Sequence, residues 1–518
     1  MGKKGLTILG VSVGVIAVLA IGAYILFQTM VNNPKNNYLL AELDSVEDSF
    51  GLFEERFESE LDWYEHAQEN AIQSTVDITA ETNDPSFQEM GMTDMINNSN
   101  IKLDVGQDVA NEVSTLGLNA DVAGFSISDV HAYITGEKAG VTLPFVEEYM
   151  VVNEEDAASF LHKLDPETFT GEEDIDYSVF FESSAMTETQ REYFKDEYSS
   201  FIRENLPDEA FESESEEITV GDNTVNADKL TMTLTEEQIH TFLRDLFNKM
   251  AEDEELANII ETQMMAANVG NPEAPTGEEA ATEFNDSLKE AAENVEDLGF
   301  PDGLTSIIWT DGDDNIIQRD MDTALTIDDS TGQIAVDGTT EVKENSRVTN
   351  YDIAVSDDSM ETVFGYTADL NETETGYEDT ITLRADADDI SGDLVIINSV
   401  KSEEEDNEIW NADISFNEEL FGSPLTLYVE SNSVYNDDQA TGDMTFYAED
   451  GMNVTKDTFV LNLASDSETV SEIELPGEDN EKNIGQMSED ELNSYFNDEV
   501  GPQFEEWVTE NFGAPSGF

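Results

Sequence analysis

The chain has 518 residues, of which 118 are Asp or Glu and 21 are Lys or Arg, giving a formal net charge of −97 at pH 7, and it has no cysteine. A field of that sign repels nucleic acid and anionic lipid headgroups and so argues against both as direct partners, while the missing cysteines exclude disulfide staples and lipid attachment at a cysteine. With 39% hydrophobic residues and 27 Phe the chain still has the material for real cores. The acidity therefore reads as a salt adaptation, because the Debye length falls from about 10 Å at 0.1 M to about 3 Å at 1 M and molar salt mutes the self-repulsion.

From Gly5 to Phe27 the chain runs GLTILGVSVGVIAVLAIGAYILF without a charge. About 20 apolar residues suffice to cross a bilayer core. Lys3 and Lys4 precede the run, which orients the N-terminus to the cytoplasm. The run continues through Tyr24 to Phe27 past its small residues, so an uncleaved signal-anchor is expected rather than a cleaved signal peptide. Within it, Gly10 to Gly14 reads both as G-x-S-x-G and as G-x-x-x-G. A nucleophile elbow needs a strand before its serine, and Ser12 has none, so no catalytic role is assigned. As G-x-x-x-G, Gly10 and Gly14 would let a second membrane helix approach and imply a dimer through it. The expected location is the cell membrane, single-pass. Residues 1–4 would be cytoplasmic, 5–27 in the bilayer and 28–37 a neck, with the bulk outside.

Between Tyr38 and Gln73 the apolar residues Leu39, Leu43, Val46, Phe50, Phe53, Phe57, Leu61 and Tyr64 recur in steps of three and four, predicting one long amphipathic helix with a soft spot at Gly51. Alternating runs follow, among them STVDITAET, NIKLDVG and VHAYITG, as in antiparallel strands. Two helices (NEEDAASFLHKL, TETQREYFKDEYSSFIREN) precede a hairpin turning at Gly221-Asp222-Asn223. The run ESESEE before that turn reads as a solvated loop. Thr235 with Gln238 forms a capping box that opens another helix. ANVGNPEAPTGEE reads as a linker, and a helix after it leads into an all-strand region from Leu304 to Leu475.

Alternation in that region is clean: Trp410, Ala412, Ile414 and Phe416 share a face, as do Leu425, Leu427 and Val429, and Phe459, Leu461 and Leu463. The C-terminal helices, with Leu492, Tyr495, Phe496, Phe504, Trp507 and Val508, could cover it. The expected fold is α+β: a transmembrane helix, then antiparallel β-meander sheets covered by amphipathic helices. Two domains are expected, 38–266 and 278–518, joined by a 267–277 linker.

Candidate chemistry is thin. Asp311, Asp313 and Asn315 in DGDDN match the start of a calcium loop, but Ile316 and Asp322 stand where an EF-hand needs Gly and Glu, so a hairpin turn is expected. His66, His131, His162 and His240 lie far apart, and no zinc, P-loop or dinucleotide fingerprint occurs. No catalysis and no cofactor are inferred.

The stretches NNPKNNYLLAE, KAGVTLPFVEEYMVVNEEDAASFLHKL and VNADKLTMTLTEEQIHTFLRDLFNKMAEDEEL resemble uncharacterised single-pass exported proteins of Bacillus-like bacteria, a family with a domain of unknown function. The resemblance implies a cell-surface role for a halophilic member and transfers no site residues. Two functions stay open. One is a membrane-anchored interaction or envelope-structural protein whose partners are the bilayer and an envelope protein. The other is a carrier or sensor of an apolar ligand, a lipid or lipoprotein, held between a curved sheet and its helices.

Overall fold

The computed structural model describes residues 33–512, apart from 123–124, 147, 167, 172–174, 182–187, 222, 268–276, 328–329, 358–359, 388–390, 405–406 and 478–479. The first element is a helix, α1 (Pro34–Arg56), capped by Asn33, whose side chain accepts from the Asn36 N–H at 2.8 Å, and begun by a proline whose fixed φ suits the first turn. Gly51 does not break it. The break falls at Phe57, whose N–H reaches both Phe53 O and Glu54 O, and α2 (Glu58–Glu69) continues beyond.

Six strands follow: β1 (Ile72–Thr82), β2 (Asn100–Asp108), β3 (Val113–Val122), β4 (Phe125–Thr135), β5 (Lys138–Thr142) and β6 (Tyr149–Asn153). After two helices come β7 (Phe211–Val220) and β8 (Asn223–Leu234). The long meander comprises β9 (Leu304–Thr310), β10 (Ile316–Ile327), β11 (Ser330–Lys343), β12 (Ser346–Ser356), β13 (Glu361–Thr373) and β14 (Gly376–Asp386). It continues through β15 (Ser391–Glu404), β16 (Asn407–Phe416), β17 (Leu425–Asn436), β18 (Gln439–Glu449) and β19 (Phe459–Thr469), and β20 (Glu481–Asn483) comes last.

All twenty belong to one sheet. From its β7 edge, hydrogen-bonded neighbours run in chain order from β7 to β19, then β1 to β6, then β20. Every ladder is antiparallel except β20 on β6. The join between β19 and β1 is long and regular, Ile72 opposite Thr469 through to Thr82 opposite Phe459.

This corrects the expected fold class. Strands from before and after the linker build a single sheet, through β8–β9 on one side and β19–β1 on the other, rather than separate sheets each under its own helices. The linker itself, and the turn at Asp222, lie largely or wholly outside the described residues. ESESEE is not a loop but part of edge strand β7, where Lys229 lies between Glu214 and Glu216, and Glu216 accepts from Trp309 Nε1 at 3.0 Å. Carboxylates on an edge strand discourage edge-to-edge pairing with another chain.

Residues directly opposite in a ladder share a face, so the register defines two faces of different chemistry. On one, Tyr366, Leu383, Val395, Phe416 and Leu425 stand in line across five strands, and Ile381, Ile397, Ile414 and Leu427 form the next row. Opposite in sense, Thr380, Asn398, Asp413, Tyr428 and Tyr447 line the other face.

The apolar face is capped at both ends of the sheet. At the β7–β10 end, Phe211, Leu230 and Ile308 join Tyr38 and Leu39 of α1 and the helical side chains Tyr198, Leu246, Phe247 and Leu288 in the largest core. At the β6–β20 end, Met150 packs with Ile484, Leu492, Tyr495 and Val500. The C-terminal helices thus cover β4 to β6, with Phe145 against Phe504 and Trp507, and not the meander they were expected to cover.

Candidate functional site

Between the two caps α1 and α2 cross the strands along one margin of the apolar face. A row of polar side chains on the sheet receives them. Tyr38 donates to Ser306 Oγ on β9 at 2.7 Å, and Arg319 on β10 holds both oxygens of Glu42, one at 2.7 Å. Arg347 on β12 lies 3.9 Å from Asp48, and Asp379 on β14 takes both arms of Arg56. Lys401 on β15 donates to Arg56 O at 2.8 Å and to Glu60 Oε2 at 2.8 Å, with a Glu408 oxygen 2.7 Å away as an ion-pair contact. His66 Nε2 ends the seam 2.8 Å from Thr469 Oγ1 on β19. From Tyr38 to His66 the helical rise is roughly 42 Å, against roughly 48 Å for the strands crossed at about 4.8 Å each, so the helix pair runs nearly perpendicular to the strands.

In a chain with so few bases, this seam consumes several of them. Burial by itself would lower the Lys401 ammonium, but hydrogen bonds to Glu408 and Glu60 outweigh it and hold it above the usual lysine value. Glu42 acts on Arg319 in the same way, against burial. Burial pushes the Tyr38 phenol upward, so it stays a neutral donor.

Past the charged row the face is apolar and open. Ile353 is 44% exposed, Phe364 52%, Leu383 42%, Leu427 37% and Phe459 43%, far above core values. All twenty strands belong to the one sheet, and these five side chains stand open to solvent. The helix stripe divides accordingly: Leu39 is buried in the end core and Leu43 is buried beyond it, whereas Phe50 and Phe53 are exposed. Phe57 turns its ring toward Trp410, the first residue of the row Trp410, Ala412, Ile414, Phe416. Sheet floor and helix wall together make a trough closed at both ends. Its floor, from β12 to β3, measures roughly 48 Å by 14 Å, on the order of 700 Å². The largest apolar patch on an ordinary monomer is about 300–600 Å² and is often itself functional, so this one calls for an occupant.

Across β14 to β18 the opposite face carries a polar row, while at the β7–β10 end it holds a small core of Val220, Ala227, Trp309 and Ile317. Thr380 donates to Asn398 at 3.0 Å, Asn398 donates to Asp413 at 2.8 Å, and the Tyr428 and Tyr447 rings stack at 4.6 Å. Asp320, Asp337 and Asp352 stand directly opposite one another on three adjacent strands. Burial, Asp337 and Asp322 raise the Asp320 carboxyl above its usual value. A raised carboxyl contributes stability at acid pH that is lost as pH rises through its folded value, so at neutral pH this row is repulsive. Asp337→Asn is expected to stabilise the protein by about 0.5 kcal/mol in dilute buffer, with no gain in molar salt and a shrinking gain below pH 4, read from thermal midpoints.

A concavity of about 280 Å³ also lies on this face, lined by Gln73, Asp104, Thr115, His131, Tyr133 and Tyr149 under Glu474 to Pro476. Gly140 makes room for it, since a Cβ there would come within 2.3 Å of the Tyr133 ring. It falls just below the ~300–1,000 Å³ of ligand pockets and its lining is largely polar.

The residues singled out in the sequence do not converge. Asp311, Asp313 and Asn315 form the β9–β10 turn, in which the Asp311 carboxylate accepts from the Asp313 and Asn315 backbone N–H groups at 3.0 and 3.1 Å. Among the described residues no group of three or more Asp, Glu or His side chains is placed to hold a metal. His162 lies 2.5 Å from Phe169 O and His240 2.6 Å from Leu298 O, so both serve local structure. Sequence reasoning found the apolar rows but not that they would be left open.

The single-pass reading is corrected. No helix among the described residues is long and apolar enough to cross a membrane, and Gly5 to Phe27, with Gly10, Ser12 and Gly14, lies outside them. The cell-membrane location, the bilayer as partner through that helix and the dimer through Gly10 and Gly14 are therefore not carried further.

No family model and no curated protein matches the chain. Among solved structures it is similar to Acinetobacter baumannii OccAB3, at 6% identity over 77% of this chain and 98% of that one, with a TM-score of 0.21. Pseudomonas aeruginosa OccD3 (OpdP) gives 6% identity, 77% and 90% coverage and a TM-score of 0.22. A BenF-like porin from Pseudomonas fluorescens Pf-5 gives 7%, 77% and 98%, with a TM-score of 0.17. Superpositions this poor carry no argument about fold or function.

Proposed function

We propose that this protein binds long-chain lipids through their acyl chains, in a salt-rich solvent, using the open trough between its two helical caps. The observation that carries the reading is the contiguous apolar band across β12 to β3, on which Ile353, Phe364, Leu383, Leu427 and Phe459 stand exposed. Chemistry favours an acyl chain over a second copy of the protein. A protein interface normally supplies about one hydrogen bond per 100–200 Å², and on the rows named above only the Tyr366 phenol and the Trp410 indole carry donors. An acyl chain asks for none. Burying it contributes about 0.8 kcal/mol per methylene, so a long chain can bind without a polar anchor.

The interaction or structural role, the other reading, would place a protein on the same band. A fluorescent long-chain fatty acid, titrated into the full chain in molar salt, distinguishes them. Saturable binding is expected. In the fourfold variant Ile353→Asp, Leu383→Asp, Leu427→Asp and Phe459→Asp, all at exposed positions, bound probe is expected to fall at least tenfold with the fold intact. Absence of binding to the parent chain would sink the lipid reading.

A further inference from the structure

We infer that the trough holds several acyl chains at once and is a multi-lipid surface rather than a single-ligand pocket; this rests on the lipid reading above. The argument is one of length. A bilayer core of about 30 Å contains two acyl layers, so one lipid's chains occupy about 15 Å. The open band, at roughly 48 Å, has room for about three laid end to end. Apolar seats recur strand after strand, from Ile353 opposite Phe364, through Ile414 opposite Leu427, to Leu463 opposite Ile78 and Ile78 opposite Ile101, with Tyr366 and Trp410 the hydrogen-bonding side chains on the rows named above. Along the margin Arg319, Arg56 and Lys401 are each engaged by carboxylates and Arg347 lies 3.9 Å from Asp48, so each of these cations already faces a carboxylate. Occupancy is therefore set by the length of the band.

The test is a titration of the full chain in molar salt with a pyrene-labelled long-chain fatty acid. Saturation near three probes per chain, with excimer emission from neighbouring pyrenes, is expected. Saturation at one probe per chain with monomer emission alone would overturn the inference while leaving the lipid reading intact, and no binding at all would overturn both. Leu427→Arg places a charge at the middle of the band, at an exposed position. It is expected to lower the stoichiometry by about one while the remaining sites keep their affinity. Val355→Arg, near the β12 end, is expected to do the same, so the result does not depend on one variant folding. Complete loss of binding in both variants, at unchanged thermal midpoints, would indicate a single shared pocket and overturn the inference.

Discussion

Lys401→Ala is expected to cost about 3 kcal/mol of stability, the penalty for removing one partner from a buried ion-pair cluster. Lys401 is only 9% exposed and Glu408 13%, so their interaction is poorly screened by salt. Without the ammonium, the largely buried Glu408 is left beside the one-third-exposed Glu60 with no counter-charge between them, and Arg56 O loses its donor. Lys401→Met, which keeps the volume, is expected to be almost as damaging, and adding Glu60→Gln and Glu408→Gln to it should restore most of the loss. The sign of the pH dependence follows from the raised lysine value: the contribution is complete below about pH 10 and disappears as pH rises through the folded value. Denaturant titrations of Lys401→Met and the parent should therefore converge only in strong alkali. A difference that persists there would mean that packing, not charge, holds α2 to the sheet.

Leu246→Ala is expected to have a comparable effect, about 3 kcal/mol, for a different reason. Leu246 and its core neighbour Leu288 are both 0% exposed, on two of the helices that cap the β7–β10 end. Truncation leaves a cavity among Tyr198, Phe247 and Ile308, and a Leu→Ala cavity costs about 2–5 kcal/mol. Because the cap lies at one end of the trough, the lost stability should be accompanied by faster amide exchange in helix Glu236–Ala251 and β8, while lipid probe binding across β12 to β3 is retained. Loss of probe binding in a folded variant would mean that the cap is part of the binding surface.

The local elements were legible because their signals are local. Two capping boxes, Thr235 with Gln238 and Ser488 with Glu491, are formed as their sequences require. The rows at 410–416, 425–429 and 459–463 each lie on one face and pair in register, Phe416 with Leu425 and Phe446 with Leu461. Alternation, however, tells which residues share a face and not which strands are neighbours. The β19–β1 join brings Ser74 to Ser467 across 393 residues, and no local pattern announces it. The same limit hid the seam, where Glu42 meets Arg319 and Glu60 meets Lys401 from opposite parts of the chain. It also hid the open trough. Leu43 and Phe53 belong to one helical stripe, yet one is in the core and the other in the open, because the helical cluster covers only the first part of α1. A stripe in a sequence looks the same whether or not something arrives to cover it.

Lipid carried on the open band is the central expectation. The most direct measurement is to purify the full chain in molar salt, extract it with organic solvent and identify released lipids by mass spectrometry against a matched control protein. Acyl-chain lipids in molar excess over the protein, absent from the control and from the fourfold acidic variant, are the predicted result. An extract indistinguishable from the control, from a chain that also fails to take up added fatty acid, would contradict it.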